Sequence, residues 1–204
     1  MLVETRHPVG LITKSARIVR DLDLLADLAR DGLVSVHMSV TTLEPDLARR
    51  MEPRASAPHR RLWAVAALAR AGVPVGVNLA PVIPGLNDHE IEAIVAAAAD
   101  AGARTAGSIL VRLPYEVKDL FAAWLAEHYP DRAARVLSLI RQCRDGRLND
   151  PDFGSRMRGS GPIAELIRRR FLAACQRHGL NRRDYALRTD LFRPPRADGQ
   201  LSLL

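Results

Sequence analysis

Apolar and polar positions change their spacing along the chain, and the change divides it. Up to about residue 113, short β-branched apolar segments alternate with segments of helical period. Val9, Gly10, Leu11 and Ile12 follow Pro8 and predict a short strand over 9–13. From Asp21 to Arg30, Leu22, Leu25, Leu28 and Ala29 recur at helical spacing. Residues 33–40 predict a second strand, 45–50 a short helical turn, and 52–58 a polar connection. A helix over 59–71 meets Gly72, suited to the left-handed position that follows a helix. Residues 73–82 predict a third strand. Asn87 is placed to cap a helix over 88–101 with Ile91, Ile94, Val95 and Ala98 on its apolar face. Gly102 closes that helix, and 106–113 predicts a fourth strand.

This alternation predicts parallel βα units, an α/β fold. The strands read as continuous apolar runs, the pattern of a sheet covered on both faces. Helices are nonetheless expected mostly on one side, with the first strand at an edge. Four strands do not close a barrel, which takes about 250 residues for eight units. The expected architecture is a partial parallel (βα) barrel, the C-terminal portion of a longer fold, with a bare apolar edge strand. Beyond residue 113 the pattern turns helical, over 115–128, 130–146 and 162–178, with a Gly-rich basic loop at 149–161. The sequence RPPRADG at 193–199 reads as a linker before Gln200-Leu201-Ser202-Leu203-Leu204. The expected division is a partial barrel at 1–113, a helical C-terminal extension at 114–192 and a flexible tail at 193–204.

Composition narrows the picture. Hydrophobic residues make up 48% of the 204, which excludes disorder for the bulk of the chain. No apolar run approaches the ~18 residues of a membrane span, and the first ten residues lack the apolar core of a signal peptide. A cytoplasmic location with no membrane partner is expected. Lys and Arg number 30 against 23 acids, a net charge of +7, with Arg far ahead of Lys. Clusters at Arg49-Arg50, Arg60-Arg61, Arg168–Arg170 and Arg182-Arg183 suit phosphate contact, and the same bias follows from a GC-rich genome. The two cysteines, Cys143 and Cys175, are too few for a zinc or iron–sulfur ligand set and read as free thiols. The six histidines show no metal-ligand spacing, and no metalloprotease, nucleophile-elbow or phosphate-loop motif is present. No metal site and no catalytic residue is assigned.

In parallel βα folds, functional groups gather at the C-terminal ends of the strands. Those ends carry Lys14 and Ser15, then Ser39, Thr41 and Thr42, then Asn78 with Pro81, Pro84, Gly85 and Asn87, then Arg112. A lysine and a hydroxyl on adjacent strand ends suit a carboxylate, a ribose or a phosphate. The plainer reading makes Lys14 a solvated loop charge and Ser39 and Thr42 caps. Glu52-Pro53-Arg54 faces the same side, as a polar loop or a salt-bridged turn. Asp150, Asp152 and Arg156 to Arg158 form either a second binding surface or an ordinary charged loop.

The stretches VGLITKS (9–15), VSVHMSVTTLEPDLARRMEPR (34–54) and AGVPVGVNLAPVIPGLNDHEIE (71–92) resemble radical SAM enzymes. The branch that looks nearest is the spore photoproduct lyase-like group, the DNA repair photolyase type. LPYEVKDLF (113–121), HYPDR (128–132), FGSRMRG (153–159) and LRTDLFRPP (187–195) look like that group's C-terminal extension. The resemblance implies a partial (βα)₆ barrel of which this chain holds the third to sixth strands. It implies a CxxxCxxC loop holding a [4Fe–4S] cluster, and S-adenosylmethionine cleaved to a hydrogen-abstracting radical. Lys14 and Ser39 match positions that contact the cofactor's polar groups. The segment with Asn78 and Pro81 matches the element lying against the adenine.

The CxxxCxxC motif is absent from this sequence. Thiolates are what the cluster requires, so this chain alone is expected to be inactive. Two readings of function follow: part of a radical SAM enzyme acting on damaged DNA, or a non-catalytic remnant that binds nucleic acid or a partner. The last five residues also resemble the pentapeptide that docks on the bacterial sliding clamp. Gln200 would fill a polar subsite, and Leu201, Leu203 and Leu204 would be the apolar anchors.

Overall fold

A computed structural model describes residues 1–182 and 186–194. Four parallel strands, β1 (Val9–Thr13), β2 (Val34–Ser39), β3 (Val75–Val82) and β4 (Thr105–Leu110), form one sheet in the order β1-β2-β3-β4. Among the described residues seven α-helices accompany them: α1 (Leu22–Arg30), α2 (Pro45–Met51), α3 (Pro58–Arg70), α4 (Ile91–Asp100), α5 (Val117–His128), α6 (Pro130–Gln142) and α7 (Gly161–Arg177). The architecture is the expected α/β one, a partial barrel with helices following. None of the described helices is long and apolar enough to cross a membrane.

Among the described residues the sheet is covered on one face only. Val34, Val36, Met38, Val75, Val77 and Leu79 are buried with Leu25 and Leu28 of α1, Val65 and Leu68 of α3, Ile94 and Val95 of α4, and Ile167 and Phe171 of α7. The opposite face carries Gly10, Ile12, Ser35, His37, Gly76, Asn78, Thr105 and Gly107, with Ile12 at 72% exposure. The strands therefore alternate rather than run continuously apolar, which corrects the two-sided reading. In β2 the alternation is plain: Val34, Val36 and Met38 face the helices, Ser35, His37 and Ser39 the concave side. Gly76 is forced there, because a Cβ would collide with Thr105 Oγ1 and the His37 ring. Burial lowers the pKa of His37. A groove of about 670 Å³ lies at the N-terminal end of this face, lined by Ser35, His37, Gly76, Thr105, Asn181 and Arg182.

The joints between helix and strand follow the sequence closely. Gly72 takes φ +79° after α3, and Val73 N–H reaches back to Leu68 C=O at 3.0 Å. The same closure recurs at Leu33 to Leu28 and at Ala103 to Ala98, both 2.9 Å. Two expectations fail. Asn87 does not cap the following helix with its side chain. Its amide instead ties the loop together, accepting from Ile83 N–H at 2.6 Å and donating to Thr41 and Pro81 carbonyls at 2.8 and 3.0 Å. A 3₁₀ turn at Asp88–Glu90 takes up the slack, so α4 starts at Ile91. Likewise α6 stops at Gln142 rather than 146, because Asp145 and Gly146 both enter the left-handed region.

The helices after β4 divide. α5 and α6 pair and bury Leu125, Val136 and Ile140 against Ile83, Leu86, Val111 and Leu113, beyond the C-terminal ends of β3 and β4. α7 returns to the helical layer beside α4, where Arg170 forms a two-pronged ion pair with Glu92 at 2.7–2.8 Å. The outer edge of β4 is occupied without a fifth strand. The Asn181 amide accepts from Ala106 N–H and donates to Ala106 C=O, both at 2.9 Å, and Leu110 N–H donates to Met157 C=O at 3.0 Å.

Candidate functional site

The C-terminal ends of β1, β2 and β3 bring polar groups together. Lys14 leaves β1 and is about one-third exposed. Its ammonium donates to Thr41 Oγ1 at 3.2 Å, to Ala80 C=O at 3.1 Å and to Glu52 Oε1. Thr41 also donates to Glu52 at 2.8 Å. The second Glu52 oxygen accepts from Arg61 Nη2 at 2.6 Å. Burial pushes the Glu52 carboxyl upward, but the hydrogen bonds from Lys14, Arg61 and Thr41 outweigh it and leave its pKa below the ordinary value. The carboxylate is the hub of the rim.

Arg61 is 2% exposed, and each of its three nitrogens donates a hydrogen bond. Its Nε donates to Ser56 C=O at 2.6 Å and its Nη1 to Ser39 C=O at 3.0 Å, besides the Glu52 bond. One guanidinium thus fixes the end of β2, the loop after α2 and the hub carboxylate. The sequence pattern hid it, because Arg60-Arg61 reads as one of the basic clusters that suit phosphate contact. The signal was present: Arg61 heads the stripe Arg61, Ala64, Val65, Leu68, which is the buried side of α3.

Among the residues singled out from sequence, Ser39 and Asn78 stand side by side. Ser39 pairs in register with Asn78, and Asn78 with Gly107, so all three point to the concave face. The side chains of Ser39 and Asn78 make no hydrogen bond within the described chain. At Gly107 a Cβ would come within 3.0 Å of Asn78 Oδ1, so the glycine keeps open the space beside the amide. Pro81 lies just beyond, its carbonyl held by Asn87. Lys14 is on the same rim, but its three N–H groups already have three acceptors, and Glu52 takes a position in which a ligand carboxylate would compete. Thr42 serves the loop: it donates to Glu90, and Glu44 N–H donates to it at 3.0 Å. Gln200, Leu201, Leu203 and Leu204 lie outside the described residues.

One grouping was invisible to sequence spacing. Glu44, His89 and Glu90 bring ligand-type atoms within 4.8 Å of one another. Glu90 is committed to Thr42 Oγ1 and Leu43 N–H, and His89 Nε2 sits 3.1 Å from Glu44, so the trio pins the loop after β2 to the loop after β3. Neither cysteine takes part in the Lys14–Glu52–Arg61 network. Cys143 ends α6 and Cys175 lies in α7; both are buried, and burial raises both pKa values, that of Cys175 to about 11. They do not fit a cluster that needs three closely spaced thiolates.

With this geometry in place, similarity to known proteins points in one direction. Residues 2–98 match the family model of the Radical SAM superfamily. The four-stranded parallel sheet with helices on one face is consistent with a partial barrel of that type. The chain is 30% identical over 178 residues to uncharacterized proteins of Mycobacterium tuberculosis and Mycobacterium bovis, covering 86% of this chain and 51% of theirs. It is 35% identical over 87 residues to an uncharacterized protein of Acidianus two-tailed virus, covering 41% of this chain and 28% of that protein. The chain thus spans about half the length of the mycobacterial relatives. The superfamily in general uses S-adenosylmethionine and a [4Fe–4S] cluster.

Proposed function

We propose that this chain is the cofactor-facing, C-terminal part of a radical SAM enzyme. The observation that carries the reading is the pair Ser39 and Asn78, without hydrogen-bond partners among the described residues, beside Gly107 on the concave face of a sheet whose first three strands lie within the superfamily match. A hydroxyl and an amide with a side-chain-free space next to them fit the ribose and adenine edge of S-adenosylmethionine. The chemistry that cofactor supplies is hydrogen abstraction from the substrate. Ser39 and Asn78 would bind and orient it. Lys14 would take its carboxylate only by giving up the Ala80 carbonyl or the Thr41 hydroxyl. The cluster does not fit this chain, and no step through it is derived. The finer form of the reading, lesion-bearing DNA as substrate, is supported by the resemblance to the spore photoproduct lyase-like branch and by the arginine content.

Equilibrium dialysis with S-adenosylmethionine and S-adenosylhomocysteine tests this. Saturable binding by the full chain, lost in Ser39→Val/Asn78→Leu while the fold persists by circular dichroism, is the expected result. Absence of binding by the folded wild type, or its survival in the double variant, overturns the assignment. Anaerobic reconstitution with iron and sulfide is expected to give no stable [4Fe–4S] absorbance. About four irons per chain would contradict the reading of Cys143 and Cys175 as inert thiols.

The sequence QLSLL behind a Pro/Gly-rich segment favours a second, compatible reading: Gln200, Leu201, Leu203 and Leu204 dock on a bacterial sliding clamp. A fluorescent peptide of residues 190–204 titrated with purified clamp is expected to saturate at micromolar concentration. No binding, or equal binding by a Gln200→Ala/Leu203→Ala peptide, ends the idea.

A further inference from the structure

The C-terminal end of β4 holds cationic groups whose buried N–H donors lack acceptors within the described chain. The Arg144 side chain follows α6 and is completely buried. Its Nη2 donates to the Val111 carbonyl at 2.8 Å and to Leu110 at 3.4 Å. Its Nε and Nη1 are buried without a hydrogen-bond partner, and so is Nε of Arg112, two residues beyond β4. The carboxylate nearest to Arg144 is Asp150, 4.0 Å from Nη1, too far for a hydrogen bond. Asp150 is turned to other partners: it accepts from the Ser155 hydroxyl and from Asp152 N–H at 2.9 Å. Burial depresses the Arg144 pKa; Asp150 opposes this, and the charge of Arg112 adds to the depression. Arg147 also acts on Asp150. Two guanidinium groups, Arg144 and Arg147, therefore act on one carboxylate, and the charge of Arg112 bears on Arg144.

The loop over 149–160 is held against this point. Leu110 N–H reaches Met157 C=O, and Ser160 N–H reaches Cys143 C=O at 2.9 Å. Gly159, at φ +74°, allows the approach, since a Cβ there would meet Leu110 Cδ2 at 2.6 Å and Cys143 O at 2.8 Å. An unmatched buried guanidinium is costly, and a held loop that leaves one in place is unexplained by packing alone. We propose that Arg144 and Arg112 form a binding site for a phosphate group at the rim where β4 ends. Orphaned N–H groups on two arginines suit an anionic acceptor with several oxygens, which both a phosphomonoester and a phosphodiester offer. The site shares no residue with the Ser39–Asn78 pair, so it stands or falls apart from the cofactor reading. The phosphate belongs either to a small phosphomonoester or to a nucleic-acid backbone.

Thermal unfolding of the full chain with inorganic phosphate, at ionic strength held constant with chloride, is the test. A saturable rise in melting temperature is expected in the wild type. Arg144→Met abolishes it, and the half-buried Arg112→Gln weakens the affinity about tenfold, the loss of one charge-assisted hydrogen bond. If Arg144→Met does not fold, Arg112→Gln decides alone. Adenosine monophosphate and a short single-stranded oligonucleotide, run in the same series, distinguish the two sources: whichever competes with phosphate in the wild type and fails in Arg112→Gln names the ligand. No phosphate-specific shift in the wild type, or an undiminished shift in the variants, overturns the site and leaves the Arg144–Asp150 gap to a bridging water.

Discussion

Arg61 and Arg144 are both buried arginines near strand ends, and their surroundings are opposite. Arg61 spends every nitrogen on the protein: two carbonyls and one carboxylate, all within 3.0 Å. Arg144 spends one nitrogen on two carbonyls and leaves two bare, with its carboxylate 4.0 Å away. A buried cation that is fully matched holds the fold together; one that is part-matched keeps its capacity for a ligand. The rim thus carries a matched arginine behind β1 to β3 and a part-matched one at the end of β4.

The sharpest break of this comparison is Arg61→Met. It removes the partner of a buried carboxylate and the tie to Ser39 and Ser56, and is expected to cost about 3–5 kcal/mol in denaturant unfolding. Next is Glu52→Gln, expected to cost about 1.5–3 kcal/mol at neutral pH, the worth of a hydrogen bond to a charged group. Its pH dependence carries a sign. The folded Glu52 pKa lies below its ordinary value near 4.5, so its stabilisation is present above that pH and disappears as pH falls through the folded value. The acid limb of a stability–pH curve should be shallower in Glu52→Gln than in the wild type. An identical limb would mean that the carboxylate is not the hub. Arg144→Met, measured without phosphate, should cost only about 1 kcal/mol, because the bonds to the Leu110 and Val111 carbonyls are offset by relief of an unmatched charge. A loss as large as that of Arg61→Met would make Arg144 structural. Least affected is the surface, where the exposed Arg168 and Arg169 draw the Glu165 pKa down through hydrogen bonds that water screens. Glu165→Gln should not measurably alter unfolding, since the pair is solvent-exposed.

The backbone plan was legible because its signals are local. Strand and helix periods, and Gly72 with its reach-back from Val73, place most elements within two residues of their bounds. The concave face was not legible as such. Ser35, His37, Gly76 and Thr105 sit inside apolar runs, and only the register shows that they share one side. Asn87 misled because capping is a local expectation, whereas its actual partners include Thr41, 46 positions away. Lys14, Ser39 and Asn78 could be placed at strand ends from sequence. That Glu52 would occupy Lys14 could not, since the pair is separated by 38 residues and joined only by folding.

The treatment of β4's outer edge has a consequence for how this sheet can be extended. An unpaired strand edge is a template for any further strand. On β4 the Asn181 amide mimics such a strand at Ala106, and Met157 fills the next position at Leu110. β1 has no comparable guard among the described residues; β2 is its one strand partner. Growth of the sheet is therefore directional. A strand supplied by more of the same polypeptide, by a second molecule or by misassembly is admitted beside Val9–Thr13 and turned away beside Thr105–Leu110.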